Sequence, residues 1–292
     1  MNAILARIHT FLQALNRRHH DFAAQYGETF LRRIEAHIAQ QSRVENTPFL
    51  DCQQFPWVAQ LEANWPIIRS ELDDILQLVS AIPNFQDISA DQSSITSDNL
   101  WKTYFFYGYG FKAEKNCRRC PQTTRLIEQI PGMKTAFFSI LLPHKHIPEH
   151  RGPYKGVLRY HLGLKVPQAR QACRLRVGDE IRHWDEGKSL IFDDTLPHEA
   201  WNETDDIRVV LFVDVVRPMR SPWSLFNRAM IQLIAISPYV QSAKRQAIAW
   251  ENRLDALAPL ALQNHASAQP NTARSSAQSD ATPLKASQST RL

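Results

Sequence analysis

His150 and His198 have the residue type and the setting that metal chemistry needs. They lie in E-H-R-G-P-Y-K-G-V-L-R-Y-H-L-G-L (149–164) and F-D-D-T-L-P-H-E-A-W-N-E-T-D-D-I-R-V-V-L-F-V-D (192–214), each at the mouth of an alternating apolar segment that carries an arginine. Imidazole binds mid-row metals and a guanidinium fork matches a carboxylate, so these parts suit a metal plus a small diacid. The segment Gly156–Leu164 puts Leu158, Tyr160, Leu162 and Leu164 on one face and Val157, Arg159, His161 and Gly163 on the other. Taken alone, that polar face also fits the solvent side of an antiparallel sheet. The segment Ile207–Val216 argues against this, because Arg208 shares its face with Val210 and Phe212, an awkward place for a charge that meets no partner.

Strands must position these side chains. From Lys134 onward the apolar period is two, and strands are expected at Thr135–Leu142, Gly156–Leu164, Ala172–Val177, Ser189–Phe192 and Ile207–Val216, with turn residues between them. No gap among them is long enough for a crossover helix, which excludes a doubly wound parallel sheet and points to an antiparallel sandwich or barrel. The aromatic run Trp101–Phe111 suits a strand or a pocket wall. Before the β region, residues 1–45 read as helical, a second helix begins at Pro66 with an apolar stripe at Ile68, Leu72, Ile75, Leu76 and Val79, and 81–100 reads as a loop. After Pro218 the pattern is helical again over 219–262. The Ser/Ala/Gln/Thr-rich segment 263–292 is expected to be disordered.

Composition narrows the classes. The 292 residues carry 34 Lys+Arg against 29 Asp+Glu, a net charge of +5 that gives no nucleic-acid signature, and 43% hydrophobic content that can build a substantial core. Four cysteines are too few for a disulfide framework. The pair Cys117 and Cys120 has no second pair to complete a zinc site and reads as structural, and the flanking Arg118 and Arg119 read as a solvated loop. With so few cysteines a reducing cytoplasm is the expected setting, and no stretch approaches the ~20 apolar residues of a membrane span. The start of the chain reads as an amphipathic helix (Ile4, Leu5, Ile8, Phe11, Leu12 and Leu15 with Arg7, Arg17 and Arg18) that docks on its own domain or rests on the surface of the inner membrane. Of the eleven histidines, His9, His19, His20, His37, His144, His146, His183 and His265 read as surface or packing residues.

The motifs H-R-G-P-Y-x-G-x-L-R-Y-H-L-G-L, F-D-D-x-x-x-H-E-x-W-N-x-T-D-x-x-R and F-V-D-V-V-R-P resemble those of the aspartyl/asparaginyl β-hydroxylase family, over roughly Pro56 to Pro218. The resemblance implies a mainly β core, a double-stranded β-helix (jelly roll, cupin-like) spanning 46–218, with flanking N- and C-terminal helices. It also implies a dioxygenase that uses Fe(II), 2-oxoglutarate as cosubstrate and O2, and releases succinate and CO2 as it hydroxylates an unactivated C–H bond. By the same resemblance His150 and His198 would be the iron ligands. Ser139 and Arg208 would hold the distal carboxylate of 2-oxoglutarate, and Arg159 and His161 the carboxylate nearest the iron.

One position departs from the wider superfamily, in which an acid two residues after the first histidine completes a facial triad. Here that position is Gly152. The peptide-hydroxylating members lack the acid too, which implies a two-histidine site with water in the third place, and Glu149, Asp193 and Asp194 are not at the family's carboxylate position. The family name implies the β-carbon of Asp or Asn in a peptide, or a free amino acid, as substrate. The first motif also resembles the bacterial lipid A acyl-chain hydroxylases, and the basic, amphipathic ends of the chain suit peripheral membrane contact. A non-catalytic jelly roll that binds 2-oxoglutarate or a metal is the reading from a different class.

Overall fold

The computed structural model describes residues 33–268; the helix expected around Ile4–Leu15 and the segment 269–292 lie outside them. The described chain begins in helix α1 (residues 33–41). There follow β1 (Phe49–Leu50), α2 (Trp57–Ala63), α3 (Trp65–Leu76), α4 (Phe85–Ile88), β2 (Trp101–Gly108), β3 (Phe111–Lys112), α5 (Glu114–Arg119) and α6 (Pro121–Glu128). The β region then runs through β4 (Met133–Leu141), β5 (Lys145–His150), β6 (Val157–Lys165), β7 (Cys173–Val177), β8 (Glu180–His183), β9 (Ser189–Phe192), β10 (His198–Asn202) and β11 (Arg208–Val216). Two helices close the chain, α7 (Trp223–Ala235) and α8 (Pro238–Ala268).

The strands form a seven-stranded sheet in the order β1-β9-β6-β11-β4-β2-β3 and a four-stranded sheet in the order β5-β10-β7-β8. All the named pairings are antiparallel. Two antiparallel sheets face one another with helices at their flanks, which is the expected jelly roll.

Period-two alternation assigns the faces of the large sheet. Leu158, Tyr160, Leu162 and Leu164 of β6 and Val209, Leu211, Val213 and Val215 of β11 pack outward with Ile68, Leu72 and Ile75 of α3 and Ile127 of α6. Pro66 stands in the first turn of α3, where its missing N–H costs nothing. The inner face carries Phe137, Leu141, Val210 and Phe212, which meet Leu175, Val177 and Ala200 of the small sheet. At one end of this inner core, Ala247 and Trp250 of α8 pack beside Ile88 and Phe105.

The stretch 81–100 holds more structure than a loop, because Asn84 and Asp87 cap α4 reciprocally. The same Asn/Asp/Ser composition that suggested irregular chain supplies the caps. Strands β5, β8 and β10 went unread as strands because histidines, prolines and charges break their apolar alternation. Helix α8 continues to Ala268, past the boundary expected at 262. Among the described residues no helix is long and apolar enough to cross a membrane.

Candidate active site

His150 ends β5 and His198 begins β10, and the two residues are direct partners in the antiparallel register. Their rings lie 4.1 Å apart, centroid to centroid. Each Nδ1 is tied to the carbonyl two residues back, His150 to Pro148 at 2.8 Å and His198 to Leu196 at 3.0 Å. A carbonyl only accepts, so both Nδ1 atoms donate and both Nε2 atoms keep a free lone pair, the tautomer a metal ligand needs. Burial, with Pro148 opposing and Arg159 adding its charge, holds the pKa of His150 below its ordinary value. Burial together with the charges of His150 and Arg159 pushes His198 down to about 3. Both imidazoles are therefore neutral at physiological pH and need not lose a proton to bind a cation.

The large sheet supplies the opposite wall. On β6 and β11, His161 pairs in register with Phe212 and Arg159 with Asp214. On β4, Ser139 pairs with Val210 and Leu141 with Arg208. The alternation that set the apolar face outward thus turns Ser139, Arg159, His161 and Arg208 toward the inner core.

Arg208 is 1% exposed, and no carboxylate among the described residues pairs with it. Its guanidinium lies 4.3 Å from the ring centre of Trp184, and one terminal nitrogen donates to the Ser139 carbonyl at 3.4 Å, while Nε has no partner. Burial pushes its pKa down to about 10. His161 has a parallel defect. Its Nδ1 accepts from the Trp184 indole at 3.3 Å, which places the proton on Nε2, and that buried N–H has no acceptor. The Ser139 hydroxyl accepts from the Trp101 indole at 3.1 Å and keeps its own proton free to donate. Three donors thus converge on an aromatic-walled interior with no acceptor to meet them. Unmet buried donors cost roughly 1–3 kcal/mol each, which a bound anion would recover.

Arg159 differs from Arg208. It contacts Asp194 at 2.8 Å and Asp214 at 3.1 Å and lies 4.4 Å from the ring centre of Phe212. Burial alone would lower its pKa, but the two acids carry it above its ordinary value. It reaches the site with its charge already answered.

The two acids of the F-D-D motif have separate tasks. Asp193 holds Lys155, Arg217 and the Thr195 hydroxyl, and although burial opposes ionisation, Arg217 and Lys155 keep its carboxyl below the usual carboxylate range. Asp194 faces the site instead. Burial raises its pKa against the pull of Arg159. A side chain added at Gly152 would collide with the Asp194 carboxylate. The acid missing two residues after His150 is thus displaced in space by an acid four residues before His198. Sequence reading set Asp194 aside for its position; its place beside Gly152 follows only from the fold. Trp101 falls in the run expected as a strand or pocket wall, whereas Trp184, between β8 and β9, carries no chemical signature in sequence.

Asn202, fully buried, donates to the carbonyls of Leu141, Leu142 and Asp206 and so fixes the turn that leads into Arg208. The cysteines are all free thiols; Cys117 and Cys120 are buried in the outer core, and burial raises both pKa values. Arg119 pairs with Asp255 at 2.6 Å. Among the described residues no group of three or more His, Cys, Asp or Glu is arranged to hold a metal, so a metal here would rest on the two histidines and non-protein ligands.

Comparison with known proteins gives the family. The family model for aspartyl/asparaginyl beta-hydroxylase matches residues 62–218. An ornithine lipid ester-linked acyl 2-hydroxylase of Rhizobium tropici is 47% identical over 73% of this chain and 75% of its own length. The human aspartyl/asparaginyl beta-hydroxylase is 31% identical over 56% of this chain, a match that spans 22% of that protein. Among solved structures, a Pseudomonas putida prolyl-4-hydroxylase aligns with 52% of this chain and 87% of its own, at 13% identity and a TM-score of 0.35. By the family match and the Rhizobium relative, this chain belongs to the aspartyl/asparaginyl beta-hydroxylase family of hydroxylases.

Proposed function

We propose that the chain is an Fe(II)- and 2-oxoglutarate-dependent dioxygenase that hydroxylates the acyl chain of a membrane lipid. The observation that carries the cofactor reading is the buried Arg208 with no carboxylate of its own, beside the unmet His161 N–H and across the core from two neutral histidines. A keto-diacid fits this donor set. Its distal carboxylate would take Arg208 and the Ser139 hydroxyl, and its other end would take His161 Nε2–H and the free edge of Arg159. His150 and His198 would hold the metal through Nε2.

Iron with 2-oxoglutarate supplies the activation of O2 when bound. The chain orients and encloses that chemistry. Trp184 sets both the His161 tautomer and the plane of Arg208, while Phe192 and Phe212 flank His161 at 5.0 and 5.2 Å and keep water out. Asp194 and Asp214 fix Arg159, so the end of the site nearest the histidines is preorganised.

The substrate class rests on the 47% identity to an enzyme named for an ornithine lipid acyl chain, against 31% to the peptide-type relative. Such a substrate would draw a cytoplasmic protein to the surface of the inner membrane. A peptide Asp or Asn is the second reading, favoured by Gly152 and by the family's name.

The test is incubation of purified protein with Fe(II), 2-oxoglutarate and either ornithine lipid or an Asp/Asn peptide, scoring succinate and a product heavier by one oxygen. The proposal expects lipid product and succinate from the wild type and neither from His198→Ala. Product from the peptide only would overturn the lipid reading, and equal turnover by His198→Ala would overturn the metal site.

A further inference from the structure

We infer that α7 is a membrane-docking helix whose outward face enters an anionic bilayer and holds the segment that leaves His150 close to the lipid. The inference deepens the lipid reading above, but its docking half stands on separate observations.

The first is a concentration of exposed apolar side chains. Leu225 is 64% exposed, Leu233 58%, Ile236 69% and Phe226 42%. At 100° per residue these four fall within one arc of the helix, so they form a stripe rather than scattered contacts. The other exposed large apolar residues are Ile67, Ile181 and three spaced nine residues apart along α8, Tyr239, Ile248 and Leu257, which do not form a contiguous stripe. The opposite face is committed, since Ile231 and Trp223 pack with Ile38, Tyr154 and Val157.

The second observation is charge. From Val215 to Trp250 the chain contains no Asp or Glu, while Arg220, Arg228, Lys244 and Arg245 fall within it. Arg220 and Arg228 are exposed and, among the described residues, meet no carboxylate. An apolar stripe rimmed by cations matches the acyl and headgroup layers of an anionic membrane. A second copy of the chain fits less well, because a two-fold contact of this face with itself would bring the same cations together. The terminal segments are also poor covers: residues 269–292 hold Leu284 and Leu292 as their only large aliphatics, and the N-terminal stripe is itself basic.

The third observation is the coupling to the site. Asn227, fully buried on α7, accepts from the Tyr154 hydroxyl at 2.8 Å and donates to the Gly156 carbonyl at 2.9 Å. A Cβ at Gly156 would collide with both Asn227 and the Tyr154 ring, so the close approach requires glycine. Helix α7 is thereby fixed by its inner face to the segment that leaves His150, so a bilayer on its outer face would lie one helix diameter, ~10 Å, from the loop 151–156.

The experiment is co-sedimentation of the full chain with phosphatidylglycerol/phosphatidylethanolamine vesicles and with phosphatidylcholine vesicles. Wild type should sediment with the anionic vesicles and be released by salt. The variant Leu225→Ser/Leu233→Ser/Ile236→Ser changes only exposed positions. It should keep the wild-type circular dichroism and melting temperature, while its vesicle partitioning falls at least about tenfold. Wild type left in the supernatant with both vesicles, undiminished binding by the variant, or a wild-type dimer that the variant dissolves would each overturn the inference. Wild-type protein that sediments but makes no succinate would uphold docking and sink the cosubstrate reading, so the two can fail separately.

Discussion

Arg159 and Arg208 sit on neighbouring strands of one sheet and point into one core, yet the protein treats them in opposite ways. Arg159 is clasped by Asp194 and Asp214, while Arg208 has a tryptophan face, one carbonyl and an unpaired Nε. A third buried arginine, Arg217, follows the Arg159 pattern, donating to Asp193 at 2.6 Å and to the Lys155 carbonyl at 2.8 Å. Arginines meant to hold the fold bring their acids with them. On the function proposed above, the one that does not would receive its acid from the bound keto-diacid, which would offset the several kcal/mol that a buried, unpaired cation costs.

The largest effect should come from the histidine pair that gives this contrast its purpose. His150→Ala and His198→Ala should each lower 2-oxoglutarate turnover by more than about a hundredfold, the upper end of what losing even a supporting residue of a metal site costs. Thermal melting of the metal-free proteins should fall more for His198→Ala, whose ring is buried against Phe192, than for His150→Ala, and comparing melts with rates separates the two effects. Next in size is the arginine contrast itself. Arg159→Met strands two buried carboxylates and should cost about 3–5 kcal/mol in denaturant unfolding. Arg208→Met should leave unliganded stability equal or higher, because a buried charge without an acid is replaced by an apolar chain. If the two variants lost equal stability, the division between structural and receptive arginines would fail.

Smaller still is the change at Gly152. Gly152→Ala should destabilise by about 1–3 kcal/mol through overpacking against Asp194. Gly152→Asp should lower turnover, because the space is already taken by a carboxylate, and a fully active Gly152→Asp would refute the displaced-acid geometry. The smallest effect is a pH slope. Burial and the charges of Arg208 and Arg159 hold the His161 pKa well below its ordinary 6.5. The unfolded chain therefore binds that proton first as pH falls. The stability His161 contributes is present above 6.5 and is lost as pH drops below it. Denaturant titrations of metal-free protein across this range should show a shallower pH dependence in His161→Asn than in the wild type.

Much of the inner wall was legible before any coordinates, because period-two alternation is a strong signal where one face is fully apolar. It assigned the Arg159/His161 and Arg208/Phe212 faces correctly from residue order alone. It also raised the right objection to Arg208, that a charge between Val210 and Phe212 needs a partner. What it could not supply was the partner count. That Arg159 has two acids and Arg208 none depends on strand pairing across 55 positions of sequence in one case and on an absence in the other. Strands β5 and β10 escaped for the same reason they matter. The histidines and acids that make them functional erase the alternation by which strands are read. The place of Asp194 beside Gly152 was hidden because it joins two loops that only the closed roll brings together.

The most direct test is a thermal-shift titration of 2-oxoglutarate into metal-loaded wild type, Arg208→Met and Arg159→Met, the last under conditions where it remains folded. The ligand should raise the melting temperature of the wild type most and of Arg159→Met less, since His161 and Arg208 remain to hold it, and should leave Arg208→Met unmoved. Equal stabilisation of Arg208→Met and wild type would contradict it.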